Sequence, residues 1–93
     1  MNNPDDEQYL LDALSRNDKK AFEKLFTTYY PKIKRFLTGF LDTQEEGEDL
    51  AQDVFVKLWQ NRLSFAHVEN LNAYLYRMAK NTLYDHIAKS GRL

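Results

Sequence analysis

A chain of 93 residues with 43% hydrophobic content and net charge −1 has apolar material for one small core and too little for two. It contains no cysteine, which excludes a disulfide framework and a thiolate metal site. The acidic, polar start "MNNPDDEQ" lacks the cations and apolar run of a secretion signal, and no stretch approaches a membrane span, so a soluble, cytoplasmic protein without membrane insertion is expected.

Three glycines, two prolines and few β-branched residues leave no hairpin signal, and the expected fold is all-α, a compact bundle of about four helices. The first helix runs from about Asp5, an N-cap after Pro4, to about Ser15, with Tyr9, Leu10, Ala13 and Leu14 on one stripe. The second starts at Asp18 and runs to about Leu41, with Ala21, Phe22, Leu25, Phe26, Tyr29, Ile33, Phe36, Leu37 and Phe40 recurring at threes and fours. Pro31 removes one backbone donor inside that run and crowds the preceding turn, so a kink or break is expected near Tyr29 and Tyr30. The polar "DTQEEGED" is a turn leading into the acidic start of a third helix, which ends at about Asn61. "RLSFAHVEN" is a loop, and a fourth helix covers about Leu71 to Lys89.

Charge alternates along these elements. Residues 1–16 carry a net −3, residues 17–38 a net +4, residues 39–53 a net −6 and the remainder a net +4. Such blocks read either as surfaces for differently charged partners or as solvated faces that neutralise one another.

The third and fourth helices each have two patterned faces. On the third, Leu50, Val54 and Leu58, with Ala51 and Phe55 beside them, form the core stripe. Almost opposite lie Gln52, Val56, Trp59 and Leu63, flanked by Asp49 and Asp53. Two readings stand for this second stripe: an exposed apolar anchor with an acidic rim, suited to a basic partner helix, or a Trp59 that packs under the loop at 62–70. On the fourth helix, Leu71, Leu75, Met78, Ala79, Thr82 and Leu83 form the buried stripe. Arg77, Lys80 and Tyr84 lie opposite, with Tyr76 and Asn81 at the margins. Cations that track phosphates, rings on which unpaired bases stack and an amide able to read a base edge together point to single-stranded nucleic acid.

Enzymatic chemistry has little support. The two histidines, His67 in the loop and His86 on the buried margin of the fourth helix, have no metal-spaced partner, and there is no glycine-rich phosphate loop. No cofactor is expected.

The segments "DKKAFEKLFTTYYPKIKRFLTGFL", "EDLAQDVFVKLWQNR" and "LNAYLYRMAKNTLYDHIAK", in that order, resemble region 2 of a bacterial sigma factor of the extracytoplasmic-function (ECF) type. The resemblance covers essentially the whole chain. It implies a helical bundle whose third helix docks on the clamp helices of the β′ subunit of core RNA polymerase, placing Asp49, Gln52, Asp53, Val56 and Trp59 at that contact. It also implies recognition of the promoter −10 DNA element as a non-template single strand with one base flipped out. The loop "LSFAHVENLN" would rim the base pocket, Tyr76, Arg77, Lys80, Asn81 and Tyr84 would meet the strand, and Lys89 and Arg92 would touch phosphate.

Two departures accompany the resemblance. Housekeeping sigma factors carry a tryptophan pair where this chain has Arg77 and Met78, which leaves the groups that melt the duplex unassigned. The sequence stops at "KSGRL" without the helix-turn-helix domain that reads the −35 element, so a single excised region 2 domain is expected, weak on its own for want of avidity. An anti-sigma factor is a further expected partner. The rival reading is a sigma-like interaction module that engages an anti-sigma factor and never touches DNA.

Overall fold

The computed structural model describes residues 6–91, so Asp5, expected as the first N-cap, and Arg92, expected at phosphate, lie outside the described residues. Within them the chain forms α1 (Glu7–Ser15), α2 (Lys19–Thr38), α3 (Gln44–Gln60), a 3-10 turn (Arg62–Phe65) and α4 (Leu71–Lys89), with no strand among the described residues. The all-α bundle is as expected.

Each helix starts where a side chain satisfies otherwise orphaned backbone donors. Asp6 accepts from Gln8 N at 2.8 Å, so the cap of α1 is Asp6. Asp18 accepts from Lys20 N and Ala21 N at 2.9 and 3.3 Å, Thr43 from Glu46 N at 3.1 Å, and Asn70 from Ala73 N at 3.0 Å. Thr43 and Glu46 are spaced as a capping box, and Glu45 and Glu46 place negative charge at the positive end of the α3 dipole. Between α1 and α2 the chain reverses through Asn17, which adopts left-handed backbone with φ 69°.

Of the kink or break expected near Tyr29 and Tyr30, the break does not occur: α2 is one continuous helix ending at Thr38. The donor that Pro31 lacks would have served the carbonyl of Thr27, and both residues are exposed, so water can replace it. Tyr29, Ile33 and Leu37, buried on either side of the proline, hold both halves against the core.

Helices α2 and α3 run antiparallel, with Phe22 against Trp59, Phe26 against Phe55 and Lys34 against Glu48 in descending register. They approach most closely where Gly47 meets Thr38, since a Cβ on Gly47 would stand 3.1 Å from Thr38 Cα. Helix α4 lies antiparallel to α3, tied by Lys57 to Thr82 at 2.8 Å and His86 to Glu46 at 3.1 Å. The core gathers Leu11 and Leu14 of α1, Leu25, Ile33 and Leu37 of α2, Val54, Phe55 and Leu58 of α3, and Leu71, Leu75 and Ala79 of α4. Burying each of these larger apolar side chains contributes about 1.5–3 kcal/mol before chain entropy is counted. Some stripe assignments shift: Tyr9 is exposed while Leu11 is buried, Phe40 just past α2 is exposed, and Phe22, Phe26, Phe36 and Met78 are half-buried.

Candidate functional site

On α3, Asp49, Gln52, Asp53 and Val56 are exposed and Trp59 is half-buried. At ~100° per residue they span an arc of about 120°, with Trp59 and Asp53 at its two edges. Trp59 falls between the two readings of the sequence. Its ring meets Phe22 of α2 edge-on at 5.5 Å and lies 4.4 Å from the Arg62 guanidinium, which anchors it. The same ring also walls an open apolar cleft of about 520 Å³ with Lys19, Phe22, Glu23 and Val56. Val56, at 51% exposure, is the uncommitted apolar group there. The charged groups lining this cleft are of mixed sign. Asp53 instead faces a polar groove between α3 and α4, together with Lys57, Asp85, His86 and Lys89.

On α4 the expected residues also divide. Tyr76 is half-buried, with its ring edge-on to Phe36 at 5.1 Å, so it braces α4 against α2 and does not present a free face. Arg77, Lys80 and Tyr84 are exposed, and Arg77 lies 5.9 Å from the ring centre of Tyr74. Asn81 lines a second opening. Lys89 lies in the polar groove facing α3, apart from Lys80.

The opening at Asn81 is a pocket of about 350 Å³ formed where the end of α3, the 3-10 turn and α4 converge, lined by Lys57, Asn61, Ser64, Phe65, Tyr74, Met78 and Asn81. Phe65, nearly fully buried, meets the Tyr74 ring edge-on at 5.0 Å, and these rings with Met78 give the pocket apolar walls. The amides of Asn61 and Asn81, the Ser64 hydroxyl and the Lys57 ammonium supply donors and acceptors. Apolar walls with a few convergent polar groups suit a flat heteroaromatic ligand. Lys57 is held in place by donating to Thr82 Oγ1 at 2.8 Å, and Thr82 donates to the Met78 carbonyl at 2.8 Å.

Lys57, Asn61 and Tyr74 were missed in the sequence as pocket residues. The signal was spacing: Tyr74, Met78 and Asn81 follow one another at four and three residues, and Lys57 stands one turn before Asn61. Among the described residues no group of acidic or histidine side chains is arranged to hold a metal, and no helix is long and apolar enough to cross a membrane.

The Sigma-70 region 2 family model matches residues 25–93. The RNA polymerase sigma-H factor of Pseudomonas aeruginosa is 33% identical over 86 residues, which are 92% of this chain and 45% of that protein. The ECF RNA polymerase sigma-E factor of Haemophilus influenzae is 30% identical over 92% of this chain and 45% of its own length. The ECF RNA polymerase sigma factor SigW of Bacillus subtilis is 32% identical over 82% of this chain and 41% of its own. The chain spans less than half the length of these relatives.

Proposed function

The chain belongs to the sigma-70 region 2 family and is a transcription initiation sigma factor domain of the ECF type; from this we propose that it holds a promoter −10 strand on α4 and binds the β′ clamp helices of core RNA polymerase through α3. It would act in the cytoplasm, where polymerase works, as the region 2 module of a sigma factor.

The observation that carries the reading is the pocket at Asn81. It opens beside the exposed Arg77, Lys80 and Tyr84, so a backbone tracked by the two cations and a base stacked on Tyr84 can deliver the neighbouring base into the pocket. Extruding that base costs a few kcal/mol, which stacking against Tyr74 and hydrogen bonds from Asn81, Ser64 and Lys57 can offset. The cleft beside Val56 and Trp59 supports the polymerase contact, because it offers apolar area on the outward arc that also bears Asp49, Gln52 and Asp53.

Fluorescence anisotropy of the chain bound to core polymerase, with a labelled −10 non-template oligonucleotide over a salt series, tests the reading. Affinity should fall as salt rises, and Lys80→Ala should lower the slope by about one. Binding indifferent to both salt and Lys80→Ala would favour the protein-interaction reading, in which an anti-sigma factor is the partner.

A further inference from the structure

The segment at 62–70, whose Ser64 and Phe65 line the pocket, is regular only in the 3-10 turn Arg62–Phe65, which Ser64 N joins to Asn61 O at 2.9 Å; past that turn Val68 N reaches back to Phe65 O at 3.2 Å. Besides the Arg62 Nη1 bond to the Trp59 carbonyl of α3 at 2.8 Å, it is tied from outside by α1 and the turn that follows it. Arg62 Nε donates to Asn17 Oδ1 at 2.6 Å, Gln8 Nε2 donates to the Val68 carbonyl at 2.7 Å, and the Leu71 backbone N–H donates to Glu7 Oε1 at 3.2 Å. The other Glu7 oxygen accepts the Tyr29 hydroxyl at 2.6 Å, so the carboxylate is fixed at both ends. Leu71 opens α4, and Glu7 therefore also sets a negative charge at the positive end of that helix dipole. The family match begins at residue 25 and does not include α1.

We propose that α1 braces the base pocket, with Glu7 and Gln8 as positioning residues that hold the 62–70 rim, and through it Ser64 and Phe65, in the geometry that discriminates one base from another. The inference rests on the reading of the pocket as a base site. Discrimination by hydrogen bonds requires placement within about 0.5 Å, and a rim that α1 ties at Val68 and Leu71 loses that placement when those ties are cut. Affinity from phosphate contacts at Arg77 and Lys80 carries no sequence information and survives the loss.

The test uses the chain assembled with core RNA polymerase and single-stranded −10 oligonucleotides carrying each of the four bases at each position in turn. Wild type is expected to prefer one base at one position by at least about fivefold. Glu7→Ala and Gln8→Ala should each reduce that preference to about twofold or less, with the salt slope of binding unchanged. Tyr29→Phe removes the other partner of Glu7 while leaving the Leu71 and Val68 ties, and should keep the preference. Undiminished discrimination in both α1 variants would overturn the inference, as would equal loss in Tyr29→Phe, which would mark a role in stability alone. Amide exchange of the chain without polymerase adds a second readout: residues 66–71 should exchange faster in Gln8→Ala, and unchanged protection overturns the brace. Wild type that prefers no base at any position would instead sink the base-site reading, and the inference with it.

Discussion

The Lys57 ammonium stands 2.8 Å from Thr82 Oγ1 and in the same position lines the pocket at Asn81, so one side chain joins α3 to α4 and charges the pocket. Thr82 is 5% exposed, and its hydroxyl keeps the Met78 carbonyl as acceptor when the ammonium is removed. Lys57→Met should therefore destabilise the fold by only about 1 kcal/mol in urea denaturation, since no buried group is orphaned. The same variant should lower the salt slope of strand binding by about one. A slope equal to wild type would place Lys57 outside the strand contact.

Asn81 and Tyr84 should separate in kind. Asn81→Ala is expected to cut discrimination at a single base position by about 1–3 kcal/mol, because its amide can pair with a base edge. Tyr84, 59% exposed, offers a ring face on which any base can stack, so Tyr84→Ala should weaken every oligonucleotide by about 1–3 kcal/mol. Anisotropy against a panel of substituted strands measures both, and interchange of the two patterns would reverse the assignment.

For the polymerase contact, Val56→Asp is a sharper probe than Trp59→Ala. Val56 is half exposed, whereas Trp59 also packs on Phe22, so truncating Trp59 loosens α2 against α3. Val56→Asp should leave the thermal midpoint near that of wild type and abolish retention on immobilised core polymerase. Full retention would remove the cleft from the interface.

Gly47→Ala should be costly for so small a change. The added methyl would meet Thr38 Cα and Cβ at 3.1 Å, with the Thr38 hydroxyl closer still, and the backbone of α2 cannot yield as a flexible side chain would. Overpacking of this kind typically costs about 1–3 kcal/mol, measurable as a lower denaturation midpoint with an unchanged m-value.

Burial, and then the hydrogen bond to and charge of Glu7, push the ionisation of the Tyr29 phenol above its ordinary range. The folded chain thus keeps this proton at pH values where the unfolded chain has released it. The resulting stability is fully present below about pH 10, the ordinary tyrosine value, and is lost as pH rises from there toward the folded-state value. Guanidinium denaturation from about pH 8 to about pH 11 should show this decline, and Tyr29→Phe should flatten it. Parallel curves for the two proteins would remove Tyr29 as the cause.

Local chemistry was legible in the sequence where it decided the outcome. The periodicity after the loop placed α4 at Leu71–Lys89, and Asp18 placed the start of α2. Reading failed where a partner far along the chain decided. Pro31 was expected to kink or break α2, and the helix is not broken, because tertiary packing by Tyr29, Ile33 and Leu37 outweighs the loss of one solvent-side hydrogen bond. Tyr76 read as a residue at the margin of the outward stripe, and its contact with Phe36 could not be seen because that residue lies on another helix. The wheel gave the outward arc of α3 correctly, yet could not reveal that Asp53 turns toward α4 and Trp59 toward α2. Single-helix spacing puts Tyr74, Met78 and Asn81 on one face of α4 and Lys57 one turn before Asn61, but does not show what closes the pocket, which exists only where three elements meet.

Val56 and Lys57 are consecutive residues of α3, yet the first opens on the cleft beside Trp59 and the second reaches the pocket against α4. No hinge separates them, so whatever fixes the pose of one fixes the aim of the other, as a sight is fixed to a barrel. Inserting one residue between them would swing the two openings about 100° out of alignment. This turn of helix can therefore exchange its side chains one at a time, but its length is not free to vary.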